Sequence, residues 1–128
     1  MKILVTESQY KKILGEEKEQ KIFRVPGLNF FHENSFEAWQ ILQKVLERRG
    51  YPPYTIDGDL DLGGTPIQSL GNLQSVGGVL DLRGALIESL GNLESVARNL
   101  DLRGTPLSKM YIKKQIRKMV NVDGEIYL

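Results

Sequence analysis

The stretch LDLRGALIESLGNLESVARNLDLRGTP, residues 80–106, contains the pentapeptide LDLRG twice, twenty residues apart. A related pentapeptide, LDLGG, lies twenty residues earlier, at residues 60–64. The sequence between them repeats as well, since SLGNL occurs at residues 69–73 and again at 89–93. A fixed period of this length is typical of solenoids, in which each unit buries its apolar side against its neighbours. The period therefore predicts a solenoid.

The twenty-residue period extends beyond this stretch on both sides. Three sets of apolar residues recur with it: Ile67, Ile87 and Leu107; Leu70, Leu90 and Met110; and Ile56, Val76, Val96 and Ile116. Near the C-terminus, VNVDG at residues 120–124 keeps the apolar–polar–apolar triplet and the final glycine, which indicates a degenerate fourth copy. An Asp-Gly pair between alternating apolar residues also indicates a β-hairpin. Both interpretations stay open for residues 120–128.

Residues 53–110 resemble the leucine-rich repeat family, in its short variety of about twenty residues, through the pattern LxLxxTxIxSLGNLxSV. A looser match continues over residues 111–124. The resemblance implies one short parallel strand per repeat, with the leucines pointing inward and the aspartate outward because side chains alternate along a strand. These strands are expected at Leu60–Leu62, Leu80–Leu82, Leu100–Leu102 and Val120–Val122. Gly84 and Gly91 are expected to permit the turns.

The sequence departs from the family where Thr65, Ala85 and Thr105 stand in place of the usual Asn. That Asn hydrogen-bonds the turn backbone in the family. Thr can satisfy part of the same backbone groups, whereas Ala cannot. The turn at Ala85 is therefore expected to use water or main-chain partners.

Both ends of the solenoid are expected to carry caps, since the terminal coils would otherwise expose apolar edges. Residues 1–50 predict an α+β N-terminal cap. It consists of a strand at residues 2–6, a helix from Thr6 to about Glu19 and an extended pair around Pro26 and Gly27. A second helix from Asn34 to about Gly50 completes it, with an apolar stripe of Phe36, Trp39, Ile41, Leu42, Val45 and Leu46.

Residues 51–128 predict the solenoid, closed by a helix at about 108–119 whose Met110, Ile112, Ile116 and Met119 face the core. The fold prediction is thus α+β: a solenoid of three to four coils with parallel strands, an N-terminal cap and a helical C-terminal cap, forming one continuous domain.

The composition excludes most catalytic chemistry. The chain has no Cys, so it has no disulfide, thiolate nucleophile or cysteine zinc site. It has one histidine, His32, and no serine in a strand–turn–helix elbow, which argues against nucleophilic triads. No phosphate-binding glycine motif is present. We therefore expect a protein that is not an enzyme and uses no cofactor.

The first residues become charged too early for a signal peptide, and no apolar run is long enough to span a membrane. A cytoplasmic location is therefore expected.

Charge is sorted along the chain although the net charge is only +1. Residues 1–50 carry nine basic and seven acidic side chains, residues 51–107 three and seven, and residues 108–128 five and two. Within the acidic middle, the repeat stacks Asp61, Asp81 and Asp101 on outward strand positions, with Arg83 and Arg103 two residues further along. The arginines either only neutralise the carboxylates diagonally, as a solvated charged face, or form a contact surface for a protein partner with them. A flat column offers too few oxygens for calcium, so no metal site is predicted.

The alternative site is a basic run on the last predicted helix, comprising Lys109, Lys113, Lys114, Arg117 and Lys118. Such a run is either the solvent-exposed face of a cap helix or a patch that binds phosphate groups or an acidic partner. No aromatic residues alternate with these cations to stack nucleic-acid bases. Nucleic-acid binding is therefore the second choice.

These observations favour a non-enzymatic module for protein–protein interaction. The opening MKILVTESQYKKIL, residues 1–14, resembles starts common among tailed-bacteriophage proteins. That resemblance implies a phage-encoded protein that binds and modulates a host factor in the host cytoplasm. The alternatives are a nucleic-acid-associated protein and a structural or self-assembling component. The sequence identifies neither the partner nor the oligomeric state.

Overall fold

The computed structural model describes residues 21–26 and 35–128, which form a mixed α/β fold with parallel strands in two sheets and few helices. The five-stranded sheet has the order β1 (Phe23–Val25), β2 (Tyr54–Ile56), β4 (Leu73–Val76), β6 (Ser95–Val96) and β8 (Asn121–Val122). The four-stranded sheet has the order β3 (Leu60–Asp61), β5 (Leu80–Asp81), β7 (Leu100–Asp101) and β9 (Ile126–Tyr127). The helices are α1 (Ser35–Arg48), α2 (Leu107–Met110) and α3 (Lys113–Met119).

Each twenty-residue unit contributes one strand to each sheet. In the four-stranded sheet Leu60 pairs with Leu80 and Leu80 with Leu100, as the period predicts. The backbone bonds repeat with the same period, since Leu60 N donates to Val79 O and Leu80 N to Asn99 O, both over 2.9 Å. The predicted strands at LDL are thus confirmed to within one residue. The expectation of a single strand per repeat is wrong, because β4 and β6 form a second set in the same units.

The inward leucines of the LDL triplets form the centre of the core. Six of them have no exposed surface: Leu60, Leu62, Leu80, Leu82, Leu100 and Leu102. The other apolar sets of the period add buried residues, namely Ile67, Ile87, Leu107, Leu70, Leu90, Ile56, Val76, Val96 and Ile116. Burial of a leucine or isoleucine side chain contributes about 1.5–3 kcal/mol. The period therefore identifies the residues that hold the units together.

Two features of the turns follow the sequence prediction. Gly84 and Gly91 have φ of +73° and +57°, a backbone region that side chains other than glycine rarely adopt. The hydroxyls of Thr65 and Thr105 donate to the carbonyls three residues earlier, over 2.7 and 2.6 Å. At Ala85 the main-chain N–H alone reaches the carbonyl of Leu82, over 2.9 Å. The turn without a side-chain donor uses the main chain, one of the two partners expected for it.

The last unit departs from the period. In the five-stranded sheet Ser95 pairs with Asn121, and in the four-stranded sheet Leu100 pairs with Ile126, an offset of 26 residues instead of twenty. The predicted strand at Val120–Val122 is present as Asn121–Val122, but its expected equivalence to the LDL strands is wrong, because it belongs to the other sheet. The hairpin interpretation is wrong as well, since β8 and β9 lie in different sheets. The extra six residues accommodate the two helices of this unit.

The predicted C-terminal helix is broken into α2 and α3, with Tyr111 in extended conformation between them. The break rotates most of the predicted apolar stripe outward. Ile116 is fully buried, but Met110, Ile112 and Met119 are 54%, 62% and 45% exposed. The prediction that these three face the core is wrong, because a single helical period does not continue across residues 111–112.

Part of the predicted N-terminal cap lies within the described residues. Helix α1 contacts β3 and buries Ala38, Trp39, Leu42 and Leu46 in the same core, while Ile41 of the predicted stripe is 55% exposed. Strand β1 pairs in parallel with β2, which confirms extended backbone at Phe23–Val25. The strand at residues 2–6, the helix ending near Glu19, the turn at Gly27, His32 and the cap residue Asn34 lie outside the described residues.

None of the helices in the described part of the chain has the length and apolar character needed to cross a membrane.

Candidate binding surface

The register of the four-stranded sheet brings the three predicted aspartates into one column. Asp61 pairs with Asp81 and Asp81 with Asp101 on neighbouring strands. Each accepts a hydrogen bond from the backbone N–H two residues further on, which fixes its carboxylate against the turn. The carboxylates become less exposed along the column: Asp61 is exposed, Asp81 is half-buried and Asp101 is 7% exposed. The prediction of three equivalent outward carboxylates therefore holds for their register but not for their exposure.

The two predicted arginines neutralise Asp81 and Asp101 of this column. Arg83 Nε and Nη2 donate to the two carboxylate oxygens of Asp81 over 3.1 and 2.9 Å. Arg103 binds Asp101 in the same bidentate way, over 3.0 and 2.6 Å. Arg83 Nε also lies 3.5 Å from Asp101 Oδ2, which links neighbouring units diagonally. The main pairing is thus within a unit, and the diagonal contact adds to it.

The pKa values reflect this pairing. Burial on its own raises the pKa of the Asp101 carboxyl, but the hydrogen bonds and charge of Arg103 and the charge of Arg83 bring it below its ordinary value. The hydrogen bonds that Arg83 donates to Asp81 raise the pKa of Arg83, and those that Arg103 donates to Asp101 raise the pKa of Arg103. Asp101, Arg83 and Arg103 therefore remain charged at neutral pH. We call the five residues Asp61, Asp81, Arg83, Asp101 and Arg103 the Asp–Arg ladder.

The two ends of the Asp–Arg ladder differ. At the last unit Tyr127 takes the place of the aspartate, and the Arg103 guanidinium lies over its ring, 5.1 Å from the centroid. At the first unit Gly63 takes the place of the arginine, so among the described residues Asp61 forms no ion pair. Tyr127 was not predicted, because the twenty-residue period places Asn121 opposite Asp101. Only the 26-residue offset reveals its position.

The residues of the predicted basic run do not act as a set. Lys109, Lys113, Lys114 and Lys118 are exposed on α2 and α3. Arg117 instead turns toward the end of the five-stranded sheet, where its guanidinium donates to two backbone carbonyls. The one planar cation of the run is therefore engaged by the protein itself.

The second sheet presents an outward column that the sequence did not predict. Its register aligns Arg24, Thr55, Ser75, Ser95 and Asn121 across five strands. This column is polar and carries one ion pair, between Arg24 and Asp57 at 3.6 Å. The two faces thus differ in character, since the four-stranded sheet presents a dense network of charges, whereas the five-stranded sheet presents short neutral side chains after Arg24.

Within residues 21–26 and 35–128, no group of three or more acidic or histidine side chains is arranged to hold a metal ion. Outside the Asp–Arg ladder, Tyr54 has the most strongly shifted pKa among the described residues, because burial raises it to about 12. Its hydroxyl donates to Leu70 O over 2.7 Å and accepts from the Gln43 amide over 3.1 Å. Both bonds lie in the core between α1 and the first unit, so Tyr54 serves packing.

Comparison of the chain with protein-family models, with curated proteins and with solved structures finds no match in any of the three.

Proposed function

We propose that this chain is a non-enzymatic protein-binding module, built as a short leucine-rich-repeat solenoid of three to four coils. Helix α1 and the helices of the last unit serve as its caps, and the Asp–Arg ladder is its contact surface. Support for the solenoid comes from the register, in which each unit repeats the strand pair and backbone bonds of the one before it.

The observation that carries the binding proposal is the fixed position of two exposed guanidinium groups. The side chains of Arg83 and Arg103 are 57% and 53% exposed, yet each is held by two hydrogen bonds to a carboxylate. An arginine held in this way loses little conformational freedom when a partner binds, so more of the contact energy remains as affinity. Arginine and tyrosine are also among the residues enriched in binding hot spots.

The charge pattern indicates what the partner presents. The guanidinium edges that do not face the carboxylates remain available to acceptors, while exposed Asp61 has no cation of its own unit beside it. A complementary protein surface therefore presents a carboxylate toward the arginines and a basic side chain toward Asp61. Complementarity of this kind favours specificity and the rate of association.

The proposal extends to the origin that the first fourteen residues resemble. On that basis the module is phage-encoded and modulates a host factor in the host cytoplasm.

Nucleic-acid binding through the basic run is the weaker candidate, because the Arg117 guanidinium is already hydrogen-bonded to two backbone carbonyls.

The test compares two charge-reversal variants in affinity capture from host lysate, with mass spectrometry. The first variant carries Arg83→Glu and Arg103→Glu, and the second carries Lys113→Glu, Lys114→Glu and Lys118→Glu. We expect proteins captured by the unmodified chain to be lost from the first variant and kept by the second. Thermal melts check that both variants fold, and Arg83→Ala, whose partner Asp81 keeps contact with solvent, is the milder substitute.

Loss of the captured proteins only from the lysine variant would contradict the proposal. A gel-shift assay with single- and double-stranded DNA and RNA examines the alternative directly. Tight shifts that weaken steeply with salt would favour nucleic acid as the partner, because each neutralised phosphate releases a counterion.

A further inference from the structure

Arg117 makes two hydrogen bonds at the outer edge of β8, the last strand of the five-stranded sheet. Its Nη1 donates to Val122 O over 2.8 Å, and its Nη2 donates to Gly124 O over 2.9 Å. Both acceptors are main-chain carbonyls of the last unit.

The carbonyl of Val122 belongs to a series of equivalent positions along the sheet. In each earlier unit the equivalent carbonyl accepts a backbone N–H from the following unit: Ile56 O from Gly77 N over 2.7 Å, Val76 O from Ala97 N over 2.9 Å, and Val96 O from Asp123 N over 3.0 Å. Val122 O is the next acceptor of this series, and the donor at 2.8 Å is the Arg117 side chain.

The carbonyl of Gly124 belongs to a second series two residues further on. Gly78 O accepts from Arg98 N over 3.1 Å, and Arg98 O accepts from Gly124 N over 2.9 Å. Gly124 O is again the next acceptor, with Arg117 Nη2 as its donor. In both series the side chain supplies a bond of the length that a following unit would supply.

We infer that Arg117 is the terminator of the five-stranded sheet: its guanidinium replaces the two consecutive backbone donors of a unit that does not follow. The planar fork of the guanidinium presents several N–H groups in fixed directions, which suits two acceptors on one strand end. A lysine ammonium at this position would be a single point donor. Arg117 thus satisfies two acceptors of this edge and covers them.

The partner that Arg117 excludes is a strand from a second copy of this chain. Strand edges with unpaired backbone groups are templates for pairing with other chains, and proteins block them with charged side chains. Pairing of this edge with a different edge of a second copy is heterologous, so copies can be added in succession. Without the guanidinium, Val122 O and Gly124 O offer the acceptors of a further strand.

The first test is the molar mass of Arg117→Ala, measured by size-exclusion chromatography with light scattering over a range of concentrations. Lys118→Ala is the matched control, because it removes the same charge from the neighbouring exposed position of α3. We expect the mass of Arg117→Ala to rise with concentration to at least double that of the unmodified chain. Lys118→Ala is expected to match the unmodified chain throughout. Equal masses for all three proteins would overturn the inference.

If Arg117→Ala does not fold, a second measurement on the unmodified chain tests whether the Arg117 guanidinium holds the two carbonyls. Hydrogen bonds from both Nη groups slow rotation of the guanidinium, so Arg117 should give separate NMR signals for its two Nη groups. Exposed Arg98 serves as the internal reference and should give averaged signals. Averaged signals for Arg117 under the same conditions would show that its guanidinium does not hold the two carbonyls.

Discussion

Truncation of Leu82 to alanine should be among the most damaging single changes in the repeat. Leu82 has no exposed surface, and its backbone N–H donates to Asp101 O over 2.9 Å. Removing a buried leucine side chain costs about 2–5 kcal/mol, and the cost grows with the cavity that remains. Because the backbone on both sides is fixed by inter-strand bonds, the core has little freedom to close that cavity. We therefore expect a loss in the upper half of this range.

That loss is large against a total unfolding free energy of about 5–15 kcal/mol for a domain. Leu86→Ala is the matched control, because Leu86 lies in the same unit but is 48% exposed. It should change stability by less than about 0.5 kcal/mol. Urea unfolding followed by circular dichroism measures both variants. Equal losses, or a larger loss for Leu86→Ala, would refute the assignment of inward and outward positions.

Three further changes test other parts of the molecule. Gly63→Arg should stabilise the fold by about 0.2–1 kcal/mol, because it gives Asp61 the arginine partner that Asp81 and Asp101 already have. Gly63→Ala is the control, and a melting temperature of Gly63→Arg below that of Gly63→Ala would contradict the prediction. Tyr54, with its pKa near 12, should ionise after the exposed tyrosines in an ultraviolet titration. Since the unfolded chain loses that proton at about pH 10, the contribution of neutral Tyr54 to stability should be complete below pH ~10 and decline toward pH ~12; ionisation of all five tyrosines together near pH ~10 would argue against its burial. Gly124→Ala should lower the melting temperature, because its Cβ would lie 2.6 Å from the backbone carbonyl of Arg98, and an unchanged melting temperature would contradict the packing of the last unit.

The parts of the fold that the sequence predicts are those with strict local rules. Leu80 and Leu82 alternate with Asp81, which predicts the strand and its buried side. Gly84 takes a left-handed conformation, so the repeated glycine predicts the turn. The second sheet leaves a weaker signal, because Ile56, Val76 and Val96 recur with the period but no alternating pattern surrounds them. Strand β6 is two residues long, and Ser95 followed by Val96 is too short to show alternation.

The last unit shows how a periodic prediction fails. The twenty-residue period aligns Val120–Val122 with the LDL triplets because the triplet pattern matches by letter. The break at Tyr111 between α2 and α3 adds chain length that periodicity cannot anticipate. Ile126 and Tyr127 then take the place expected for residues 120–122.

The sequence predicts which residues form the candidate surface, but it does not predict how deeply they are buried or how they pair. The spacing of Asp81 and Arg83 indicates a charged column, but the near-complete burial of Asp101 depends on arginines from two units. The role of Arg117 depends on which sheet β8 joins, and the sequence pattern assigned that strand to the wrong sheet. Both depend on the three-dimensional register.

The register of the two sheets is the claim on which the core, the Asp–Arg ladder and the role of Arg117 all depend. Because the chain has no native cysteine, engineered cysteine pairs measure it directly. Residues in register on neighbouring parallel strands lie about 4.8 Å apart, within the ~4.4–6.8 Å that a disulfide spans between Cα atoms. Ser75→Cys with Ser95→Cys tests two regular units and serves as the positive control.

The deciding pair lies in the last unit, where the structure sets Ser95 against Asn121 and an unbroken twenty-residue period sets it against Gln115. We predict that Ser95→Cys with Asn121→Cys forms an intramolecular disulfide under mild oxidation, seen by mass spectrometry, and that Ser95→Cys with Gln115→Cys does not. Cross-linking of the second pair in preference to the first would contradict the two-sheet register.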